Sequence, residues 1–264
     1  MHGLKPSDKG INIDWGKTSV DYAAFRQGPP QRFYNGLKAF DIGLAGQNML
    51  DLGTGTGVLA RQFASQGAKV VGVDISQEQI DVARELAKQE KLDIEFKVAG
   101  AEAVPCADSP FEVITANQCW LYFDAQKAIA EVKRLLSQHG ALVTSNFSWL
   151  PRKDTIACAT EELVLKHNPA WSAGDWSGEI PNCPEWAIQD FEVVGMFYFD
   201  TEVPFTQESW RGRIRACRGV GAGLNPDQVK QFDREHEQLL KEIAEDRFTV
   251  LHRVDAHIFR PKQS

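Results

Sequence analysis

The sequence predicts an α/β fold: a doubly wound, mostly parallel sheet of seven strands that closes with an antiparallel C-terminal hairpin and carries a helical lid insertion. Three observations carry this expectation. Short apolar runs alternate with helix-like stretches from Met49 to Asn146, the pattern of strands joined by helical crossovers. A glycine-rich turn, Asp51-Leu52-Gly53-Thr54-Gly55-Thr56-Gly57, follows the first apolar run and opens a helix. Asp74 closes the second apolar run, where a strand-helix-strand unit returns a carboxylate to the side of that turn.

The elements follow in order. Met49 to Leu52 reads as the first strand and Val58 to Gln66 as the helix after it, with Lys69 to Asp74 as the second strand. Ser76-x-x-Gln79 is a capping box, opening a helix with Ile80, Ala83, Leu86 and Ala87 on one face. Asp93 to Val98 and Phe111 to Ala116 supply the third and fourth strands. Asp124 to Ser137 is a helix with Ile129, Val132, Leu135 and Leu136 inward, and Ala141 to Asn146 is the fifth strand. Beyond Phe147 the alternation breaks. Pro151 to Lys166, Glu208 to Arg218 and Pro226 to Glu245 read as helices, Glu192 to Val203 and Phe248 to Phe259 as strands. The runs Phe191 to Phe199 and Val250 to Phe259 are expected to pair as the closing hairpin. One domain is the expectation, with 1–47 a helical cover, 48–146 the ligand-binding core, and 147–264 a substrate lid with the closing strands.

Ligand loops belong at the carboxyl ends of such strands. Asp51 to Gly57, Asp74 to Ser76, Ala99 to Glu102 and Asn117 to Trp120 fall at four of those ends. Three alternating glycines let the backbone turn sharply and approach a ligand where a Cβ would clash. The dinucleotide fingerprint needs a third small residue, and Val58 stands there instead. Asp51, two residues before Gly53, would repel a pyrophosphate and suits a cationic ligand.

These residues resemble the first motif of the class I S-adenosylmethionine-dependent methyltransferases, an acid, any residue, then Gly-x-Gly-x-Gly. The donor carries a sulfonium and an ammonium. The resemblance implies a site for S-adenosylmethionine, with S-adenosylhomocysteine as product and no metal. It implies that Asp51, Gly53, Thr54, Gly55 and Gly57 cradle the donor and that Asp74, followed by Ile75, accepts from the ribose. The family often shows Gly-Asp-Ala-Glu at the third strand end, where this chain reads Ala99-Gly100-Ala101-Glu102. Adenine would then rest on the Gly100 and Ala101 backbone, with Glu102 either a substitute acceptor or a solvated surface acid. Asn117 and Gln118 complete the cofactor side.

Within that class the chain is similar to the small-molecule enzymes of the ubiquinone-biosynthesis and trans-aconitate types. Tyr22-Ala-Ala-Phe25-Arg26-Gln-Gly28-Pro29-Pro30 resembles a Tyr-x-x-x-Arg-x-Gly-x-Pro segment that closes over the cofactor, which adds Tyr22 and Arg26 to the candidates; the plain alternative is a helix followed by a Gly-Pro turn. The stretch Asn117 to Asp124 resembles one ending His-Trp-Phe-Asp in trans-aconitate-type members; Leu121 stands in place of that His, so a general base carried over from it is missing. Trp120 either walls the cofactor or packs in the core. Trp210 to Arg218 resembles the helix such enzymes insert over the substrate. Arg211, Arg215 and Arg218 would share one side of it while Arg213 points elsewhere, either to hold a carboxylate or phosphate or as a solvated basic face. Tyr22, Trp120 and Arg215 are the candidates for contact with the reacting groups.

Composition bounds the partners. A formal net charge of −7 argues against the basic footprint of an enzyme acting on nucleic acid, and no apolar run is long enough to span a membrane. A small-molecule substrate is expected. Five cysteines, Cys106, Cys119, Cys158, Cys183 and Cys217, show no Cys-x-x-Cys spacing, and no leader opens the chain, which fits a reducing cytoplasm. His252 and His257 read as structural rather than metal-ligating. An activated methyl needs alignment more than acid-base help, so a carboxylate or thiolate acceptor is favoured where no base stands. A nicotinamide-dependent dehydrogenase and a silent binder of the same donor are the rival readings.

Overall fold

A computed structural model describes residues 7–8, 11–105 and 110–262; Cys106 lies outside them. The sheet strands are β1 (Asn48–Leu52), β2 (Lys69–Asp74), β3 (Ile94–Val98), β4 (Phe111–Asn117), β5 (Leu136–Trp149), β6 (Phe191–Thr206) and β7 (Arg247–Pro261). Their order across the sheet is β3-β2-β1-β4-β5-β7-β6. The ladder β3-β2-β1-β4-β5 is parallel throughout, with Asp51 opposite Gly72 on one side and Thr115 on the other. The order reverses between β1 and β4, the switch point at which such sheets open a crevice. The last two strands close the sheet as an antiparallel hairpin, as expected.

Eight α-helices are described: α1 (Ser19–Phe25), α2 (Gln31–Lys38), α3 (Val58–Ser65), α4 (Gln77–Gln89), α5 (Ala125–Leu135), α6 (Thr155–His167), α7 (Gln207–Arg215) and α8 (Pro226–Ile243). The crossover helices sit where their apolar spacing requires. Helix α3 buries Leu59, Ala60 and Phe63, and α5 buries Ala128, Ile129, Val132 and Leu135. Ser76 Oγ accepts the Gln79 amide at 3.3 Å and starts α4, whose Ile80, Ala83 and Ala87 face inward.

Among the boundaries that move from their expected places, three have a visible cause. Helix α5 ends at Leu135 because Leu136 adopts an extended conformation and enters β5, so Leu136 is buried from a strand. Helix α6 starts at Thr155 rather than near Pro151, because Asp154 accepts the Ala157 amide at 2.9 Å and fixes its first turn. Helix α7 stops at Arg215. The Gly221 amide bonds to the Arg215 carbonyl at 3.0 Å, and a Cβ on Gly221 would lie 2.1 Å from that oxygen, so a glycine is required to end the helix this way.

Two compact units divide the chain. The first comprises Gly28–Phe147, Ile180–Phe199 and the stretch from Val254. Its core includes Leu50, Leu52, Val73, Ile114, Leu142, Phe191 and Phe259. The second comprises the stretch up to Gln27, Ser148–Glu179 and Asp200–Arg253, built on α1 and α6 to α8. Trp210 is wholly buried there, and its Nε1 donates to Thr160 Oγ1 at 3.0 Å. No described helix is long and apolar enough to cross a membrane.

Candidate active site

The glycine-rich turn in the first unit is held in a conformation its sequence demands. Gly53, Gly55 and Gly57 all have positive φ, at 60°, 55° and 77°. A Cβ on Gly53 would fall 2.8 Å from Cβ and Sγ of Cys119, and one on Gly57 would fall 3.0 Å from Phe96. The backbone therefore turns left-handed with no room for side chains. Cys119 Sγ also donates to the Leu52 carbonyl at 3.1 Å, fastening the end of β4 to the end of β1. No local pattern in the chain marks this second role for Cys119.

Two carboxylates organise the turn. Asp74 Oδ2 accepts the Gly55 amide at 2.9 Å and Oδ1 accepts the Ser76 amide at 2.9 Å. Each oxygen keeps a lone pair for a hydroxyl. Asp51 is 3% exposed, and both its oxygens are engaged: Oδ2 accepts from Thr54 Oγ1 and Oδ1 from Thr115 Oγ1, each at 2.6 Å. Burial pushes the Asp51 carboxyl up to about 6, against the opposing pull of the two threonine hydroxyls. Burial also raises Asp74, while the Ser76 and Gly55 amides hold it down. Tyr34, unremarked in the sequence, is buried, and its hydroxyl is raised by burial and then by the charge of Asp51.

Val58 follows the turn. A Cβ on Gly28 would lie 2.5 Å from Val58 Cγ1, so the Gly-Pro segment seats its glycine on this side chain. Val58 thus has a packing partner of its own, where a dinucleotide site would put a small residue beside a pyrophosphate.

The third strand end brings Gly100 to Ile75. A Cβ at Gly100 would fall 2.9 Å from Glu102 Oε2 and 3.9 Å from Ile75 Cγ2, and Ile75 is 53% exposed. An apolar side chain standing in solvent beside a glycine flanked by a carboxylate fits a purine with its face on the side chain and its edge toward the acid. Ala101 is buried below it. Glu102 is not a freely solvated acid, since its Oε1 accepts the Asp124 amide at 2.9 Å and steadies the start of α5. At the end of β4, Ser145 Oγ donates to Asn117 Oδ1 at 3.0 Å. Gln118 has φ 58°, and its Nε2 donates to the Phe147 carbonyl.

Trp120 belongs to the core cluster, its ring 4.2 Å from that of Trp186, and its buried Nε1 has no hydrogen-bond partner. Leu121 is 60% exposed.

The second unit holds Tyr22, Arg26 and the arginines of α7. Arg215 bonds to Asp21 (3.0 and 3.2 Å) and to Asp233 (2.7 Å), and Arg211 pairs with the same Asp233. Asp21 and Asp233 tie α1, α7 and α8 together, so Arg215 already has two carboxylate partners. Because α7 ends at Arg215, Arg218 is off the helix and bonds to Ser172 Oγ at 3.2 Å; the expected row of Arg211, Arg215 and Arg218 does not exist. Arg213, expected to point away from the others, is the buried one, with its guanidinium 5.0 Å from the Trp149 ring centroid. Burial, then the charge of Arg26, bring Arg213 down to about 9. Arg26 itself lies over the Tyr22 ring at 4.5 Å.

Three histidines are neutral packing groups. His236 and His252 are held down to about 3 by burial, and His257 is lowered by the same cause while its Nε2 donates to the Pro181 carbonyl at 2.8 Å. Among the described residues no group of three or more His, Cys, Asp or Glu side chains is arranged to hold a metal ion.

A family model described as a methyltransferase domain matches residues 44–201. Over 188 residues the chain is 32% identical to the ubiquinone biosynthesis O-methyltransferase of Actinobacillus pleuropneumoniae, covering 67% of this chain and 79% of that protein. It is 36% identical over 120 residues to the demethylmenaquinone methyltransferase of Thermus thermophilus, covering 44% of this chain and 54% of the relative's length. In fold it resembles a phosphoethanolamine N-methyltransferase of Haemonchus contortus solved with phosphomonomethylethanolamine and S-adenosylhomocysteine. That match has a TM-score of 0.56 at 21% identity and covers 94% of this chain and 58% of the other.

Proposed function

Because this chain belongs to the methyltransferase-domain family of S-adenosylmethionine-dependent enzymes, we propose that it methylates a small organic molecule, with a carboxylate or thiolate as the accepting group. One observation carries the reading: the left-handed Gly53-Gly55-Gly57 turn is closed by a bond from the Gly55 amide to Asp74. This leaves a bare backbone strip, a ribose acceptor and a buried acid at one sheet end, with Ile75 and Gly100 at the next.

When bound, the donor supplies a methyl already activated on a sulfonium. The chain's residues then hold the donor and align the acceptor. Asp74 accepts from ribose hydroxyls, and the Gly100-Ala101 strip with Ile75 receives adenine, with Glu102 within the same loop. Gly53, Thr54, Gly55 and Gly57 shape the cradle, and Asn117 and Gln118 border it. Asp51, ionised, offsets the positive charge of the amino-acid end through Thr54 and its neighbours. Holding an acceptor in line with the methyl contributes about 7–11 kcal/mol without any proton transfer, which suits a chain with Leu121 where a base would stand. In this reading 147–264 is the substrate-covering part of one catalytic domain, with 48–146 the donor-binding part and 1–47 the cover. Trp120 and Arg215 act as supports, through core packing and through the Asp21 and Asp233 pairs.

Calorimetric titration with S-adenosylhomocysteine and with NAD tests the donor. Binding of the first and not the second is expected; the reverse would restore the dehydrogenase reading. Incubating the protein with labelled S-adenosylmethionine and a metabolite extract then separates an enzyme from a silent binder. A mass-spectrometric search for products heavier by one methyl group is expected to find an ester or thioether.

A further inference from the structure

The second unit contains a charge without a counterpart. Arg213 is 7% exposed, and its Nη1 is buried with no hydrogen-bond partner. Its surroundings are the ring of Trp149, the neutral thiol of Cys217, and a second cation, Arg26, which itself rests on Tyr22. Burial keeps Cys217 protonated, so it does not balance the guanidinium. Three acids on α1, α6 and α8 have other partners. Glu161 accepts from Trp149 Nε1 and from the Asp175 amide, while Asp21 and Asp233 bond to Arg215. Packing holds this arrangement firmly: a Cβ on Gly212 would lie 2.1 Å from Phe25, so α1 is pressed against α7 and presents Tyr22 and Arg26 beside Arg213.

A buried cation with no partner is strongly unfavourable unless an anion arrives. Two guanidiniums over two aromatic rings fit a planar or tetrahedral acid group, which guanidinium binds in bidentate fashion. The amino-acid end of the methyl donor brings one carboxylate, a single negative charge against two guanidiniums. It therefore cannot neutralise both arginines. The geometry points to Arg213, with Arg26 at its side, as the receptor for an acid group, a carboxylate or phosphate, of a small-molecule ligand.

The test is calorimetric titration of malonate and of inorganic phosphate at constant ionic strength, with S-adenosylhomocysteine saturating, on the wild type and on Arg213→Met and Arg213→Lys. Saturable binding of at least one anion is expected for the wild type, weakened about tenfold in Arg213→Lys and lost in Arg213→Met. The affinity for S-adenosylhomocysteine is expected to stay within about twofold in all three, and the melting temperature of ligand-free Arg213→Met to rise, because an uncompensated charge has been removed. An anion response unchanged in Arg213→Met overturns the proposal. So does a comparable loss of S-adenosylhomocysteine binding, which would assign Arg213 to the donor's carboxylate. A lower melting temperature or failure to fold in Arg213→Met also overturns it, by making the guanidinium structural. Absence of S-adenosylhomocysteine binding in the wild type would sink the methyltransferase reading, whereas anion titration of the ligand-free protein still reads the Arg213 site.

Discussion

Asp51 and Arg213 are both charged side chains shut away from water, and their surroundings treat them oppositely. Asp51, in the parallel-sheet unit, has a threonine hydroxyl on each oxygen. Arg213, in the unit of α1 and α6 to α8, has an indole face, a thiol and another cation. A buried charge whose two oxygens are each hydrogen-bonded by its own chain is part of the scaffold and stays in place without a ligand. One whose donors point at nothing polar is stable only in part, and its missing partner must come from outside. The contrast separates residues that shape a site from residues that wait for something to enter it.

The sharpest break falls on the turn that Asp51 underlies. Gly53→Val would force a β-branched residue to φ 60° and drive its side chain into Cys119. Binding of S-adenosylhomocysteine is expected to weaken by about 100-fold or more in calorimetry, with the sheet retained by circular dichroism.

The next test is the charge of Asp51 itself. Its folded carboxyl titrates at about 6 and an unfolded one near 4. Below about 4 both forms hold the proton. Between about 4 and 6 the folded chain keeps a proton that the unfolded chain has lost, so this group's contribution to stability falls as pH rises, and it levels off above about 6. The full difference is roughly 3 kcal/mol. In urea melts, Asp51→Asn should therefore gain on the wild type by about that amount between pH 4 and pH 7. A constant gap across that range would mean that the threonine hydroxyls stabilise the ionised form fully.

Asp74→Asn probes a carboxylate with bonds to make. It leaves a poorer partner for the Gly55 and Ser76 amides and for a ribose, and a loss of roughly 1.5–3 kcal/mol is expected in S-adenosylhomocysteine affinity. The smallest effect belongs to the satisfied cation. Arg215→Met removes partly buried pairs to Asp21 and Asp233 and should lower stability by about 1 kcal/mol, leaving donor affinity unchanged. A tenfold fall in donor affinity from Arg215→Met would erase the distinction between the two arginines.

Much of the first unit was legible in the chain. Alternation of apolar runs located β1 to β4, because a parallel strand buried on both faces leaves an uninterrupted apolar stretch. The spacing of Gly53, Gly55 and Gly57 announced a left-handed turn, and the structure has one. Illegible were the side chains that complete it: Cys119 on Leu52, Thr115 on Asp51, and Val58 on Gly28. These partners are distant in sequence, and no local pattern marks them. The arginines of α7 were misread for a related reason. Helical spacing assumed a helix to Arg218, but Gly221 closes it at Arg215, and spacing alone does not say which face a neighbouring helix covers.

The sequence by itself determined the strand order's parallel core, the acid-flanked glycine turn and the carboxylate that returns to it. These depend on periodicity and on backbone conformations that few residues permit. Only the tertiary structure decided which charges are answered. Arg211, Arg213 and Arg215 are chemically identical and nearly adjacent, yet two of them meet carboxylates from other helices and one does not. Neutralisation is a property of what packing brings within hydrogen-bonding distance, and that distance is set by the fold rather than by the residue.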